Sequence, residues 1–173
     1  MRKNARLCGS GGQGIMTAGY ILGKAASVFH DYNAVQMQSY GPEARGGAAR
    51  SEVIISDREI GYCGLPTTDY MMVMSQPAWD KYHGDLTEDS VVVIDPDLVV
   101  NYDFEGAIEI PATKMAEDLG NKIVANIVML GGFNEAADLV PEESLQNSVK
   151  DSVPNRFIEL NMDALKKGVE RVK

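Results

Sequence analysis

Cysteine is scarce: Cys8 and Cys63 are the only two in 173 residues. They form no CxxC pair and no spaced run of the kind that holds an iron–sulfur cluster. Two free thiols fit this usage better than a disulfide and point to a reducing compartment. Histidine occurs twice, at His30 and His83, and neither sits in a triad context, so a hydrolase finds little support. Basic residues are outnumbered 16 to 25, for a formal net charge of −9. A general nucleic-acid binder needs a basic surface to displace counterions, and anionic membranes attract basic segments, so neither partner is expected. No apolar run approaches the roughly 20 residues that cross a bilayer. Met1-Arg2-Lys3-Asn4 lacks the apolar stretch of a secretory leader, so the cytoplasm is the expected location. Repeats, low-complexity tracts and linkers are missing too, which leaves one domain over residues 1–173 as the expectation.

What is present is an alternation of short apolar runs with helical periodicities. Ala5 to Cys8, Ala34 to Met37, Ala49 to Ser56, Tyr70 to Met74, Val91 to Ile94 and Ala107 to Ile110 read as strands. A further short strand is expected near Ile60, after a turn at Asp57-Arg58. Ile15 to Phe29, Thr113 to Leu119, Lys122 to Phe133, Pro141 to Lys150 and Asn155 to Val172 read as helices, and Gln76 to Asp80 can start another. In the last helix Ile158, Met162, Leu165 and Val169 share one face. The expected fold is α/β: a three-layer, Rossmann-like, mostly parallel sheet flanked by helices, with an antiparallel excursion around 49–62.

Two loops stand out. Gly9-Ser10-Gly11-Gly12-Gln13-Gly14 satisfies GxGxxG between a strand and a helix. Glycines there admit positive φ and close approach to the backbone, and the helix start favours an anion. A dinucleotide site usually carries an acid at the end of the second strand, but here that strand ends in Gln36-Met37-Gln38. No Gly-Lys-Ser/Thr closes the turn as a Walker A loop would. A tight packing turn and a ligand or partner contact therefore both remain open. The second loop, Gln38-Ser39-Tyr40-Gly41-Pro42-Glu43-Ala44-Arg45-Gly46-Gly47, follows the carboxyl end of a strand, where open α/β sheets place ligands. Arg45 can fork onto a carboxylate or phosphate, or pair with Glu43.

These two motifs, together with Ser51 to Ser56, Asn126 with Leu130-Gly131, and Asn161, Ala164 and Gly168, resemble the γ subunit of 2-oxoacid:ferredoxin oxidoreductases. The resemblance covers nearly the whole chain. It implies a complex that oxidatively decarboxylates a 2-oxoacid, transfers the acyl group to coenzyme A and reduces ferredoxin, with 2-oxoglutarate favoured over pyruvate. It implies an accessory chain, inactive alone and without its own cofactor or metal. Thiamine diphosphate, magnesium and iron–sulfur clusters would sit on α, β and δ-type partners. Gly9, Gly11, Gly12, Gln13, Gly14, Ser39, Tyr40, Glu43, Arg45, Gly46 and Gly47 would form a surface facing coenzyme A or a partner subunit, with no catalytic residue among them. The isolated chain can also pair with itself. The competing reading from GxGxxG alone is a free-standing nucleotide-binding module or NAD(P)-type dehydrogenase.

Other features have plainer readings. Asp95-Pro96-Asp97 looks like a turn after a strand rather than a metal pair. Asp69 reads as a turn or capping residue, and Met71, Met72 and Met74 as core. Trp79 fits core or interface equally. Asn126, in an apolar stretch, bonds either nearby backbone or one of the glycine loops.

Overall fold

The computed structural model describes residues 1–39 and 47–173. Six strands form one sheet in the order β2-β3-β1-β4-β5-β6. They are β1 (Arg2–Ser10), β2 (Asn33–Gln38), β3 (Ala48–Ser56), β4 (Thr68–Val73), β5 (Leu86–Ile94) and β6 (Ile108–Glu109). β1, β4, β5 and β6 pair in parallel, whereas β3 is antiparallel to both β1 and β2. The antiparallel excursion is therefore β3 alone. The strand expected near Ile60 does not form, since residues 57–67 run through bends and irregular backbone. Arg2 donates to the Gly64 carbonyl and holds that loop against β1, in place of a sheet ladder.

The helices are α1 (Ile15–Ser27), α2 (Gln76–Tyr82), α3 (Ala112–Asp118), α4 (Ala125–Ala137), α5 (Glu142–Ser152) and α6 (Ile158–Val172). Two expected helices start later than their periodicity suggests. A 3-10 turn, Lys122–Val124, precedes α4, and another, Asn155–Phe157, precedes α6. In the first of these the Asn121 side chain accepts the Ile123 N–H.

Strand alternation divides the core in two. Ala5, Leu7, Val53, Ile55, Met72 and Val93 face α1 and α4. α5 packs on α1, and α6 packs on α4 as an outer layer. Cys8, Met71, Val73, Val92 and Ile94 face the other way, against α2. The second face has thin cover: α2 has seven residues, and the 95–104 stretch lies beside it. The Gln76 side chain ties that stretch down, accepting from the Val100 and Asn101 N–H groups and donating to the Asn101 carbonyl.

This arrangement positions the candidate site. The chain leaves β1 into α1 on one face, and leaves β4 into α2 on the opposite face. Neighbouring parallel strands whose connections diverge open a crevice at their carboxyl ends.

Candidate functional site

The glycine turn lies at the mouth of that crevice. Gly12 and Gly14 adopt φ of 88° and 75°, a region costly for any residue with a Cβ. Gln13 folds back into the turn. Its Oε1 accepts the Ser10 N–H at 2.7 Å, and its Nε2 donates to the Met74 carbonyl at 2.8 Å. One carboxamide thus ties the turn to the end of β4. Gly9 makes room for it, because a Cβ there would stand 2.5 Å from Gln13 Oε1 and 2.9 Å from Ile15 Cδ1. Asn126 Nδ2 donates to the Gly14 carbonyl at 3.1 Å, so this asparagine does contact a glycine loop. Gly12 has nothing within 4 Å of where a Cβ would be. α1 starts without a side-chain cap and without an acid in its first turn. Its leading amides keep the partial positive charge of a helix start.

Two clefts flank Gly12 and Ile123. One, about 290 Å³, is lined by Gln13, Met74, Leu98, Thr113 and Lys122 among others. Lys122 brings a positive charge and pairs with Glu117 at 2.7 Å. Both side chains of that pair are exposed, so it is weak enough for an anion to replace. The other, about 310 Å³, is lined by Thr17, Asn126, Ile127, Phe157, Leu160 and Asn161 among others.

Of the second loop, only the ends fall among the described residues. Tyr40, Glu43, Arg45 and Gly46 lie outside the described residues. Its two ends are placed: the Ser39 N–H donates to the Arg50 carbonyl, and Gly47 precedes Ala48, which pairs with Ser10. Both loops therefore leave the same edge of the sheet. Sequence reasoning missed Thr17, Lys122, Thr113 and Asn161 as neighbours of the turn. Thr113 and Lys122 lie about 100 residues beyond the turn and Asn161 nearly 150, so no local pattern announces them as its neighbours.

Several side chains resolve into structural roles. Asp95 is fully buried and accepts from the Thr113 N–H and Oγ1 at 2.9 and 2.7 Å, joining the end of β5 to α3. Among the described residues no three potential ligands gather around a metal position. Asp69 lies within β4, not in a turn, and accepts from the backbone and side chain of Asn4. Trp79 is buried and stacks on His83, with ring centroids 4.8 Å apart, so it belongs to the core. Burial pushes the Cys8 thiol far up, which removes it as a nucleophile. Cys63 is exposed and free. Gln36, at the end of β2, donates to the Met16 carbonyl and to Ser51 Oγ. It is turned into the α1 packing and is not available to hold a ribose.

On the α2 face lies a charge cluster in which Arg6 and Glu52 are buried and Asp85 is partly exposed. Arg6 reaches Glu52 through Nε and Nη2 at 3.0 and 2.8 Å, and Asp85 through Nη1 at 2.5 Å. Nη1 also donates to the Tyr82 carbonyl. Burial pushes the Asp85 carboxyl up, but the Arg6 hydrogen bond and charge, with Thr68, outweigh it and hold the carboxyl below its ordinary range.

Residues 4–171 match the family model described as pyruvate ferredoxin/flavodoxin oxidoreductase. The chain belongs to that family. It is 46% identical, over all of its own length and 95% of the relative's, to 2-oxoglutarate synthase subunit KorC of Methanocaldococcus jannaschii. Identity is 32%, over 97% of this chain and 96% of the relative, to pyruvate synthase subunit PorC of Methanothermobacter marburgensis. A solved γ subunit of a keto/oxoacid ferredoxin oxidoreductase from Geobacter sulfurreducens superposes with a TM-score of 0.90. That pair is 40% identical and covers 99% of this chain and 97% of the other. The fold and sequence are thus those of the oxidoreductase γ subunits, and the free-standing dehydrogenase reading falls away.

Proposed function

We propose that this chain is the γ subunit of a cytoplasmic 2-oxoglutarate:ferredoxin oxidoreductase, with residues 1–173 acting as one γ-type domain. The observation that carries the reading is the 46% identity, across the whole chain, to a 2-oxoglutarate synthase subunit, against 32% to a pyruvate synthase subunit. The complex would decarboxylate its 2-oxoacid, pass the acyl group to coenzyme A and deliver electrons to ferredoxin. Thiamine diphosphate, magnesium and iron–sulfur clusters are assigned to α, β and δ-type partners, and this chain to an accessory role.

Within that role the glycine turn and the Ser39–Gly47 loop form one surface towards coenzyme A or a partner subunit. What supports this is the open backbone at Gly12, the uncapped start of α1 and the Lys122 cation beside them. Together these suit an anionic group such as a phosphate. The first test is a tagged pull-down from native extract. Co-purified subunits carrying thiamine diphosphate and iron–sulfur clusters, with 2-oxoglutarate-dependent ferredoxin reduction, are the expected result; a lone active monomer would overturn the reading. The second test is Gly12→Val in the reconstituted complex, where the KM for coenzyme A is expected to rise at least tenfold. Unchanged coenzyme A dependence with weaker assembly would assign the surface to subunit contact alone.

A further inference from the structure

The cleft beside Ile123 that lacks Lys122 differs in kind from its neighbour. Its lining holds no charged side chain in a molecule of net charge −9. Two asparagines on its wall are more than nine-tenths buried, Asn126 at 6% and Asn161 at 7% exposure. Each spends its Nδ2, on the carbonyls of Gly14 and Phe157 respectively. Neither Oδ1 accepts a hydrogen bond among the described residues, yet no buried side-chain oxygen there is left sealed without a partner. Both oxygens therefore keep some exposure, on residues that line the cleft, and are free to accept N–H donors. The rim is apolar and stands in solvent: Ile123 is 79% exposed and Phe157 37%, with Pro154 and Leu160 beside them.

We propose that this cleft is a docking site for an uncharged, extended segment of a partner subunit. The segment donates main-chain N–H groups to Asn126 and Asn161 and places an apolar side chain between Ile123, Phe157 and Leu160. The inference rests on the γ-subunit reading above. Complementarity of charge selects the occupant. A phosphate-bearing ligand finds no side-chain cation in this lining, only the α1 start at Gly12 that both clefts share, whereas Lys122 adds a cation in the adjacent cleft. A neutral backbone satisfies the two oxygens and covers the exposed rim in one step, the pattern of an interface core with a polar margin. Asn126 then has two jobs, holding the glycine turn with one atom and the partner with the other.

The test uses the full chain and its purified partner subunits. Ile123→Asp projects from an exposed position, so its unfolding temperature should match that of wild type. Its retention in the reconstituted complex should drop at least tenfold, while Ile123→Val assembles normally. Hydrogen exchange at residues 121–127 and 153–161 should slow when the partner subunits bind. Equal retention of Ile123→Asp and wild type would overturn the proposal. So would protection of those segments in the free chain by coenzyme A alone, or conversion of a free-chain dimer to monomer by Ile123→Asp. Failure of wild type to assemble would remove the γ-subunit reading as well; assembly of both proteins would remove only this proposal.

Discussion

At the scale of single residues, the glycine turn separates conformational need from open space. Gly14 has a left-handed φ, and a Cβ there would overlap the Asn126 carboxamide. Gly14→Ala should cost about 2 to 3 kcal/mol, combining left-handed strain with a forced shift of Asn126. Gly12 has similar φ but no neighbour, so Gly12→Ala should cost only about 1 kcal/mol. Urea unfolding of the two variants checks the difference, and equal losses would contradict it. A second residue-scale prediction concerns Asp85, whose carboxyl is held below its ordinary range. Such a group stabilises the fold above the ordinary carboxylate pKa of about 4, and this contribution fades as pH falls through the lower folded value. Asp85→Asn should therefore be less stable than wild type at pH 7, and the gap should narrow towards pH 3. A gap that stays constant would mean the carboxyl is not the source. The glycine turn was readable in the sequence because its spacing is local. The Arg6 cluster was not: Ala5 to Cys8 reads as an apolar strand, and Arg6 finds its acids 46 and 79 residues away.

At the scale of elements, the joint of α4 with α6 has the tightest tolerance. Both helices come close enough that a Cβ on Gly168 would overlap the Val128 carbonyl oxygen, and one on Gly131 would overlap the Leu165 carbonyl oxygen. α4 is buried on nearly every side, between the sheet and α6, so it cannot move away cheaply. Gly168→Ala should cost about 3 kcal/mol despite the better helix propensity of alanine, because overpacking here meets backbone. Calorimetry of the variant decides it; a neutral or higher unfolding temperature would show that the helices slide apart freely. The periodicity of α6 was clear from Ile158, Met162, Leu165 and Val169, whose spacing defines the inward face. Which helix that face meets could not be read, since glycine records a close approach without naming the partner. The helix starts near Lys122 and Asn155 were misplaced for a related reason. A 3-10 turn carries the same apolar spacing as the helix that follows it and differs only in hydrogen bonding.

At the scale of the molecule, strand and helix alternation was enough to foresee an α/β sheet with parallel strands. The direction of β3 also showed, because a nine-residue strand too close to β2 for a crossover helix must return antiparallel. Uneven cover was hidden, since the seven residues of α2 look no different in sequence from the start of a longer helix. The consequence is a fold with its helical mass on one face and its two clefts on the carboxyl edge. There Ile123 stands 79% exposed between them. A surface of that kind gains stability from its partner. Anything that binds the folded chain and not the unfolded one adds about 2.7 kcal/mol when present at a hundred times its Kd. For a chain of this size each kcal/mol moves the unfolding temperature by about 2 to 4 °C, so assembly should raise it by about 5 to 10 °C. The increment should grow with partner concentration and shrink in Ile123→Asp, while the free-chain values of both proteins coincide. A complex whose γ chain unfolds at the temperature of the isolated chain, whatever the partner concentration, would show that the carboxyl edge is not the joint.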